Sequence, residues 1–139
     1  MILYLDTSSL VKLYVSEEGS DEVWRLVAEA SLVATSVLAY PEARSAFARL
    51  RREQAVTARE AERLKADLEQ DWPRYLALDV GEPVWRRAGD LAERHALRGF
   101  DSLHLASFLS LASAGLGEAV RFSAFDERLN VAALAEAGG

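Results

Sequence analysis

Four acidic side chains are the residues of this sequence whose type and position could do chemistry: Asp6, Glu42, Asp101 and Asp126. Carboxylate oxygens are the ligands that hard cations such as Mg²⁺ and Mn²⁺ prefer. Carboxylates packed together without a cation would repel one another or raise one another's pKa. A bound cation could instead activate a water and stabilise the charge of an in-line phosphoryl displacement. The quartet therefore predicts a metal-dependent nuclease.

Each of these acids also has an ordinary structural interpretation. Asp6 and Asp126 could simply cap helices, and Asp101 could be an acid favoured in a first helical turn by the helix dipole. Glu42 could be a solvated charge on a helix surface. Asp79 is a rival for the catalytic set because it too lies near the end of an apparent strand, and spacing alone does not exclude it.

Composition narrows the class of protein. A chain of 139 residues, half of them hydrophobic, is predicted to form a single domain over 1–139. The absence of cysteine excludes disulfides, thiolate nucleophiles and sulfur metal sites, and it favours a reducing cytoplasm. The amino terminus carries no basic leader, and no apolar run approaches the ~18 residues of a membrane span. We therefore expect a cytoplasmic protein that does not bind membranes.

The elements that must position the acids alternate between strands and helices. Short apolar runs predict strands at 2–5, 32–35, 75–80 and 119–122, and helical periodicity predicts helices at 7–15, 20–30, 57–72, 83–95, 100–114 and 126–136, with another helix ending near Arg52. This order predicts an α/β fold with three layers, α/β/α, around a central parallel sheet of four to five strands. Because ligands bind outside the carboxyl ends of parallel strands, such a sheet could gather the four acids at one edge.

A basic segment interrupts an otherwise acidic chain. The net charge is −6, yet residues 36–65 carry seven basic and four acidic side chains. Four arginines of this segment follow Glu42 on the same predicted helix: Arg44, Arg49, Arg51 and Arg52. They could contact RNA phosphates beside the acids, or they could form a solvated helix face.

Four segments, in this order, resemble the PIN-domain proteins and more narrowly the VapC toxins of VapBC toxin–antitoxin pairs. They are LYLDTSSLVKLY at 3–14, AYPEARSA at 39–46, FDSLHLA at 100–106 and SAFDERLN at 123–130. The resemblance covers nearly the whole chain, and it implies a PIN-like fold and a Mg²⁺- or Mn²⁺-dependent endoribonuclease. Asp6, Glu42, Asp101 and Asp126 match the acidic quartet of the family, whereas Asp79 matches no catalytic position.

The resemblance also implies roles around the quartet. Asp6 and Asp101 would be the firmest metal ligands, while Glu42 and Asp126 would bind through water or serve a second ion. Thr7 or Ser8 could orient Asp6 or a metal-bound water. Where the family carries a hydroxyl two residues before its last acid, this chain has Ala124, with Ser123 one position earlier.

The partners that the resemblance implies are RNA, a second copy of the chain in a homodimer, and a VapB-like antitoxin. The tail of the antitoxin would wrap the toxin and place a basic side chain among the acids. Helices 7–15, 20–30 and 36–70 are the predicted antitoxin groove. Charged substitutions of Leu10, Leu13 or Trp24 are then expected to weaken antitoxin binding.

Other functions fit less well or differ in class. A phosphotransferase of the haloacid dehalogenase kind needs an Asp two residues after Asp6, where this chain has Ser8, and a receiver domain needs a late lysine that is missing. A PIN-like module that binds RNA or protein without catalysis stays open. So does a PIN nuclease of RNA processing that has no antitoxin.

The histidines and tryptophans receive structural interpretations. His104, one turn after Asp101, could touch substrate or metal, but on so apolar a helix we expect a core histidine. Trp24, Trp72 and Trp85 lie at helical apolar spacing, which favours core or interface packing over base stacking.

Overall fold

Four short parallel strands form the centre of the fold: β1 (Ile2–Leu5), β2 (Leu32–Ser36), β3 (Leu76–Leu78) and β4 (Val120–Ser123). The structure is a computed structural model that describes residues 1–138. The strands lie in the order β3-β2-β1-β4, and Tyr4 of β1 stands between Ala34 of β2 and Phe122 of β4. The prediction of a parallel sheet of four to five strands is confirmed.

Within residues 1–138, seven α-helices connect and cover the strands: α1 (Thr7–Lys12), α2 (Ser20–Glu29), α3 (Ala39–Arg52), α4 (Ala58–Asp71), α5 (Glu82–His95), α6 (Gly99–Ala112) and α7 (Glu127–Ala137). Successive side chains of a strand point to opposite faces of the sheet. Ile2 and Tyr4 therefore pack with residues of α5, α6 and α7, whereas Leu3 and Leu5 pack with residues of α1 to α4. These two apolar clusters give the predicted three layers.

Helix α6 is the most buried helix of the described chain. It has eight buried residues, among them Leu105, Ala106 and Phe108. A helix that is apolar on all sides belongs in the interior of a protein. The rigid backbone of α6 carries Asp101 in its first turn and His104 one turn later, so the packing of the core also fixes these two polar side chains.

The first helix is shorter than predicted. It ends at Lys12 and not at Val15, and its Leu10 is completely buried in the apolar cluster beside β1. A charge at Leu10 would disrupt this core, so Leu10 cannot serve as an antitoxin contact, and that prediction is wrong. Leu13 is partly buried and Trp24 is 53% exposed, so both remain on or near the surface.

The strand ends bring the amino termini of two helices together. The backbone amide of Asp6, directly after β1, donates to the carbonyl of Ser123 at the end of β4. Asp6 then caps α1 and Asp126 caps α7. No helix within residues 1–138 has both the length and the apolar character that crossing a membrane requires.

Candidate active site

Asp6 is a nearly inaccessible carboxylate at the carboxyl end of the central strand. It is 4% exposed. Its Oδ1 accepts hydrogen bonds from the Ser8 hydroxyl at 2.7 Å and from the Ser9 amide at 3.0 Å. Burial raises the pKa of Asp6 despite these bonds, and the neighbouring charge of Asp101 raises it further. The predicted contact between Ser8 and Asp6 is present. Capping helix α1 does not by itself require the Asp6 side chain to be so deeply buried.

Glu42 stands at one end of a hydrogen-bonded chain that reaches into the core. Its Oε1 accepts from the Thr7 hydroxyl at 2.5 Å and lies 3.0 Å from Nε2 of His104. Nδ1 of His104 lies 2.9 Å from the hydroxyl of Tyr4, which is completely buried. The assignment that gives each polar hydrogen an acceptor has Tyr4 donating to Nδ1 and Nε2–H donating to Glu42.

The pKa of Glu42 reflects this environment. Burial alone would raise the pKa, but the hydrogen bonds from His104 and Thr7 lower it below its ordinary value. Glu42 is therefore held as a carboxylate, whereas Asp6 resists ionisation. Thr7 contacts Glu42 and not Asp6. The suggestion that Thr7 orients Asp6 is therefore wrong, and a role toward a metal-bound water stays a prediction.

Arg98, the residue just before α6, links the remaining two acids. Its Nε lies 3.0 Å from Oδ2 of Asp101, and its guanidinium lies 3.9 Å from Oδ2 of Asp126. The charge of Arg98 also contributes to lowering the pKa of Glu42. Asp126 keeps a structural role as well, because its Oδ1 accepts from the amide of Leu129.

The four predicted acids thus lie near one another at one edge of the sheet. The charge of Asp101 acts on Asp6, and Arg98 contacts Asp101, approaches Asp126 and acts on Glu42. Their donor set is made of carboxylate and hydroxyl oxygens, which suits Mg²⁺ or Mn²⁺ and disfavours softer metals. Within residues 1–138, no three carboxylate or imidazole side chains stand in an arrangement that would hold an ion. A cation here would compete with Arg98 for Asp101 and would take further ligands from water.

The remaining predicted site residues lie apart from this cluster. Asp79 is exposed and directly follows the edge strand β3. Arg44 bonds to Tyr40 one turn earlier on α3 and approaches Glu69 of α4. On an α-helix, Arg49 falls about two turns after Glu42 on the same side. Contacts of Arg49, and of the other three arginines, with RNA stay a prediction.

Comparison with known proteins identifies the family of this chain. A family model described as the PIN domain matches residues 3–134. The chain belongs to the PIN-domain family. Two curated relatives, Ribonuclease VapC45 and Ribonuclease VapC49 of two Mycobacterium tuberculosis strains, are each 38% identical to this PIN domain over 136 residues, which is 95% of this chain and 89% of theirs. The resemblance to VapC proteins is confirmed.

Solved structures support the PIN fold at lower identity. FitAcB from Neisseria gonorrhoeae superimposes with a TM-score of 0.72 at 21% identity and covers 96% of this chain and 93% of its own. Mycobacterium tuberculosis VapC20, a Sarcin-Ricin loop cleaving toxin, gives 0.68 at 18% identity, with 94% of both chains covered. VapBC2 from Rickettsia felis, bound to a DNA fragment from their promoter, gives 0.58 at 13% identity and covers 89% of this chain and 100% of its own.

Sequence reasoning missed two partners of the acids in this PIN domain. Arg98 lies three residues before Asp101, so the favourable spacing for a helical ion pair could have indicated it. Tyr4 reaches the acids only through His104, and the sequence predicts it only as a strand residue because that link spans 100 positions. His104 is the buried core histidine that was predicted, at 2% exposure, and it also bonds to Glu42.

Proposed function

We propose that this PIN-domain protein is a divalent-metal-dependent endoribonuclease, the toxin component of a type II toxin–antitoxin pair. The observation that carries the proposal is that Asp6, Glu42, Asp101 and Asp126 lie near one another in a chain that matches two VapC ribonucleases over 95% of its length. A buried carboxylate such as Asp6 destabilises a fold, and features that cost stability cluster at functional sites. Mg²⁺ or Mn²⁺ is the proposed cofactor.

Asp6 and Asp101 would hold the cation, with Glu42 and Asp126 contributing directly or through water. When bound, the cation would activate the attacking water and neutralise the negative charge of the phosphate. The deep burial of Asp6 excludes bulk water from one side of this position and strengthens its electrostatic interactions. A cation would also relieve the repulsion between the Asp6 and Asp101 carboxylates.

Glu42 and Arg98 would act on the substrate side. Because His104 and Thr7 hold Glu42 as a carboxylate, it is suited to orient a water molecule or to accept a proton from one. Arg98 has a guanidinium that is 81% exposed. Once released from Asp101, this group could pair with a phosphate oxygen, since guanidinium and phosphate match in shape.

Cleavage of a mixed RNA pool by the antitoxin-free protein tests the activity. We expect cleavage with Mg²⁺ or Mn²⁺, none with a chelator, and a loss of more than about 100-fold in Asp101→Asn, since even residues behind metal ligands cost 10–100-fold. Asp79→Asn is the matched control and is expected to cleave normally. Cleavage that survives in Asp101→Asn would contradict the proposed site. Metal binding without any cleavage would favour the non-catalytic binding module.

The proposed antitoxin contact is a shallow groove of about 340 Å³ where α1, α2 and β2 meet. Its exposed edge is formed by Trp24, and Leu13 and Tyr75 line its floor. An exposed tryptophan over an apolar groove is typical of residues that dominate binding energy. The family resemblance also supports the proposal of a homodimer. We likewise propose that the chain is a single nuclease domain and that it acts in the cytoplasm, where RNA is available.

Replacing Trp24 tests the antitoxin groove. We expect Trp24→Glu to weaken binding of the antitoxin encoded beside the toxin gene by more than about tenfold, because tryptophan contacts at interface centres contribute ~2 kcal/mol or more. Metal-dependent cleavage by the free protein should be unchanged. Leu134→Glu, on α7 and outside the residues that line the groove, serves as the control for a new surface charge. Equal antitoxin affinity of Trp24→Glu and wild type would exclude the groove.

A further inference from the structure

A cleft of about 630 Å³ opens between α5 and α6 directly beside the acids. One end is formed by Glu42, Arg98 and Asp101, and the other end and floor are mostly apolar: Trp85, Ala88, Gly89, Ala92 and Phe100. This volume lies within the roughly 300–1,000 Å³ of small-molecule sites. The acids alone do not account for it, because metal chemistry needs no apolar chamber of this size.

Two large aromatic rings of the cleft are exposed. Trp85 is 46% exposed and Phe100 is 56% exposed. Trp85 therefore does not pack in the core of the chain, and the alternative prediction of interface packing stays a prediction. In the part of the chain that the structure describes, neither ring stacks on another aromatic ring. The Arg86 guanidinium lies over the indole of Trp85, 4.8 Å from its centre. Aromatic and guanidinium planes together are typical surfaces for stacked bases.

Gly89 is an independent sign that the cleft is kept open. It lies in the middle of α5, where glycine is about 1 kcal/mol less favourable than alanine. Packing does not require it, because a Cβ at Gly89 would meet no atom within 4 Å. A larger side chain at this position would instead project into the cleft. The absence of a side chain at Gly89 therefore leaves room for an occupant.

We propose that this cleft binds one unpaired nucleobase of the RNA, next to the phosphate that is cut, with Trp85 as its stacking surface. The inference rests on the proposed ribonuclease function and adds where base preference arises. An RNA base is favoured over an apolar segment of protein because the cleft is continuous with Asp101, where the phosphate must react, and with Arg98, which can pair with that phosphate. Trp85 and Gly89 would then determine specificity without taking part in bond cleavage.

Kinetics and base preference of cleft variants test this assignment. We expect Trp85→Ala to raise KM about tenfold, the usual effect of losing one base–aromatic stack, and to change kcat less. Sequencing the cut ends of an RNA pool should show a flattened preference at one position beside the cut. Trp85→Phe should largely restore both, and Leu134→Ala, an exposed apolar residue on α7, should change neither.

Gly89→Leu is the second variant, and it guards against misfolding as an explanation. It should fill the cleft while favouring the helix, so we expect a raised KM together with an unchanged or raised unfolding midpoint. Unchanged KM and unchanged base preference in both Trp85→Ala and Gly89→Leu would overturn the proposal. A change of oligomeric state in Trp85→Ala, measured by sedimentation, would also overturn it and assign the cleft to a second copy of the chain.

A binding assay separates this inference from the proposed activity. Single-stranded RNA pentamers of each base are titrated in the presence of a chelator, and tryptophan fluorescence is recorded. Quenching in wild type that is lost in Trp85→Phe would support base stacking even if the protein cleaved nothing. If wild type shows metal-dependent cleavage but quenching is identical in both proteins, the base-binding cleft is contradicted and the proposed ribonuclease activity is supported.

Discussion

Asp6→Asn is expected to abolish metal-dependent cleavage and, at the same time, to raise the stability of the free protein. We expect more than about a 100-fold loss of activity, because even residues that merely support metal ligands cost 10–100-fold. We expect a gain of about 0.5–2 kcal/mol in the free energy of unfolding, the usual size of a stabilising substitution. Few other substitutions of a fully buried polar residue should stabilise this fold.

The stability gain follows from the burial of charge. Asp6 is 4% exposed, and burial raises its pKa above its value in the unfolded chain. Protonated Asp6 therefore favours folding below its unfolded pKa, and this contribution is lost as the pH rises through the folded pKa. At neutral pH the charged carboxylate opposes folding. Asparagine keeps an oxygen that can accept from Ser8 and Ser9 but carries no charge.

Urea unfolding at several pH values and with added Mn²⁺ measures both effects. The gap in stability between Asp6→Asn and wild type should be wide at neutral pH and should narrow in acid, where wild-type Asp6 becomes protonated. Mn²⁺ should stabilise wild type and leave Asp6→Asn unchanged, because a ligand stabilises only a state that binds it. Asp79→Asn, an exposed acid, should match wild type throughout. An Asp6→Asn protein less stable than wild type at neutral pH would contradict this account.

His104→Leu is expected to be the most damaging single polar substitution at the site. His104 is 2% exposed and bonds to Tyr4, Thr7 and Glu42. Leucine would leave the buried Tyr4 hydroxyl without a partner, at a cost of ~1–3 kcal/mol, and would remove a bond to a charged group, at ~1.5–3 kcal/mol. We expect a total loss of about 2.5–6 kcal/mol in stability, a large share of the roughly 5–15 kcal/mol of a typical domain.

A double-mutant cycle with Tyr4→Phe tests whether these residues act as a unit. Tyr4→Phe removes the hydroxyl that His104→Leu would leave without a partner. The double variant should therefore be more stable than the sum of the single losses implies, by about 0.5–3 kcal/mol as for other contacting pairs. Urea midpoints and slopes of all four proteins provide the measurement. Strict additivity would show that Tyr4 and His104 contribute independently.

The two results would show how stability and activity are balanced at this edge of the sheet. Asp6 and Asp101 repel each other and weaken the fold, while the chain from Tyr4 through His104 to Glu42 strengthens it. His104 has both roles, because its bond to Tyr4 anchors α6 to β1 and its bond to Glu42 helps to keep Glu42 ionised. A site that needs clustered negative charge thus gains rigidity from the neutral and hydrogen-bonded groups behind it.

The sequence by itself was enough to predict the order of strands and helices and to single out the four acids as candidate site residues. Each strand is a short apolar run followed by a helical pattern, and such local patterns do not depend on distant residues. Asp6 follows β1 directly, so the edge at which it lies was predictable from the rule that ligands bind beyond the carboxyl ends of strands. The PIN-domain family was recognisable for the same reason, because its motifs are contiguous in the chain.

Only the tertiary structure decided which side chains meet. Tyr4 and His104 are 100 residues apart, and their contact depends on the register of β1 and on the rotation of α6 about its axis. The burial of Leu10 and the exposure of Trp85 likewise depend on which face of each helix the sheet covers. A hydrophobic pattern indicates that a helix has a buried face, but the angle at which two helices pack decides whether a cleft remains between them.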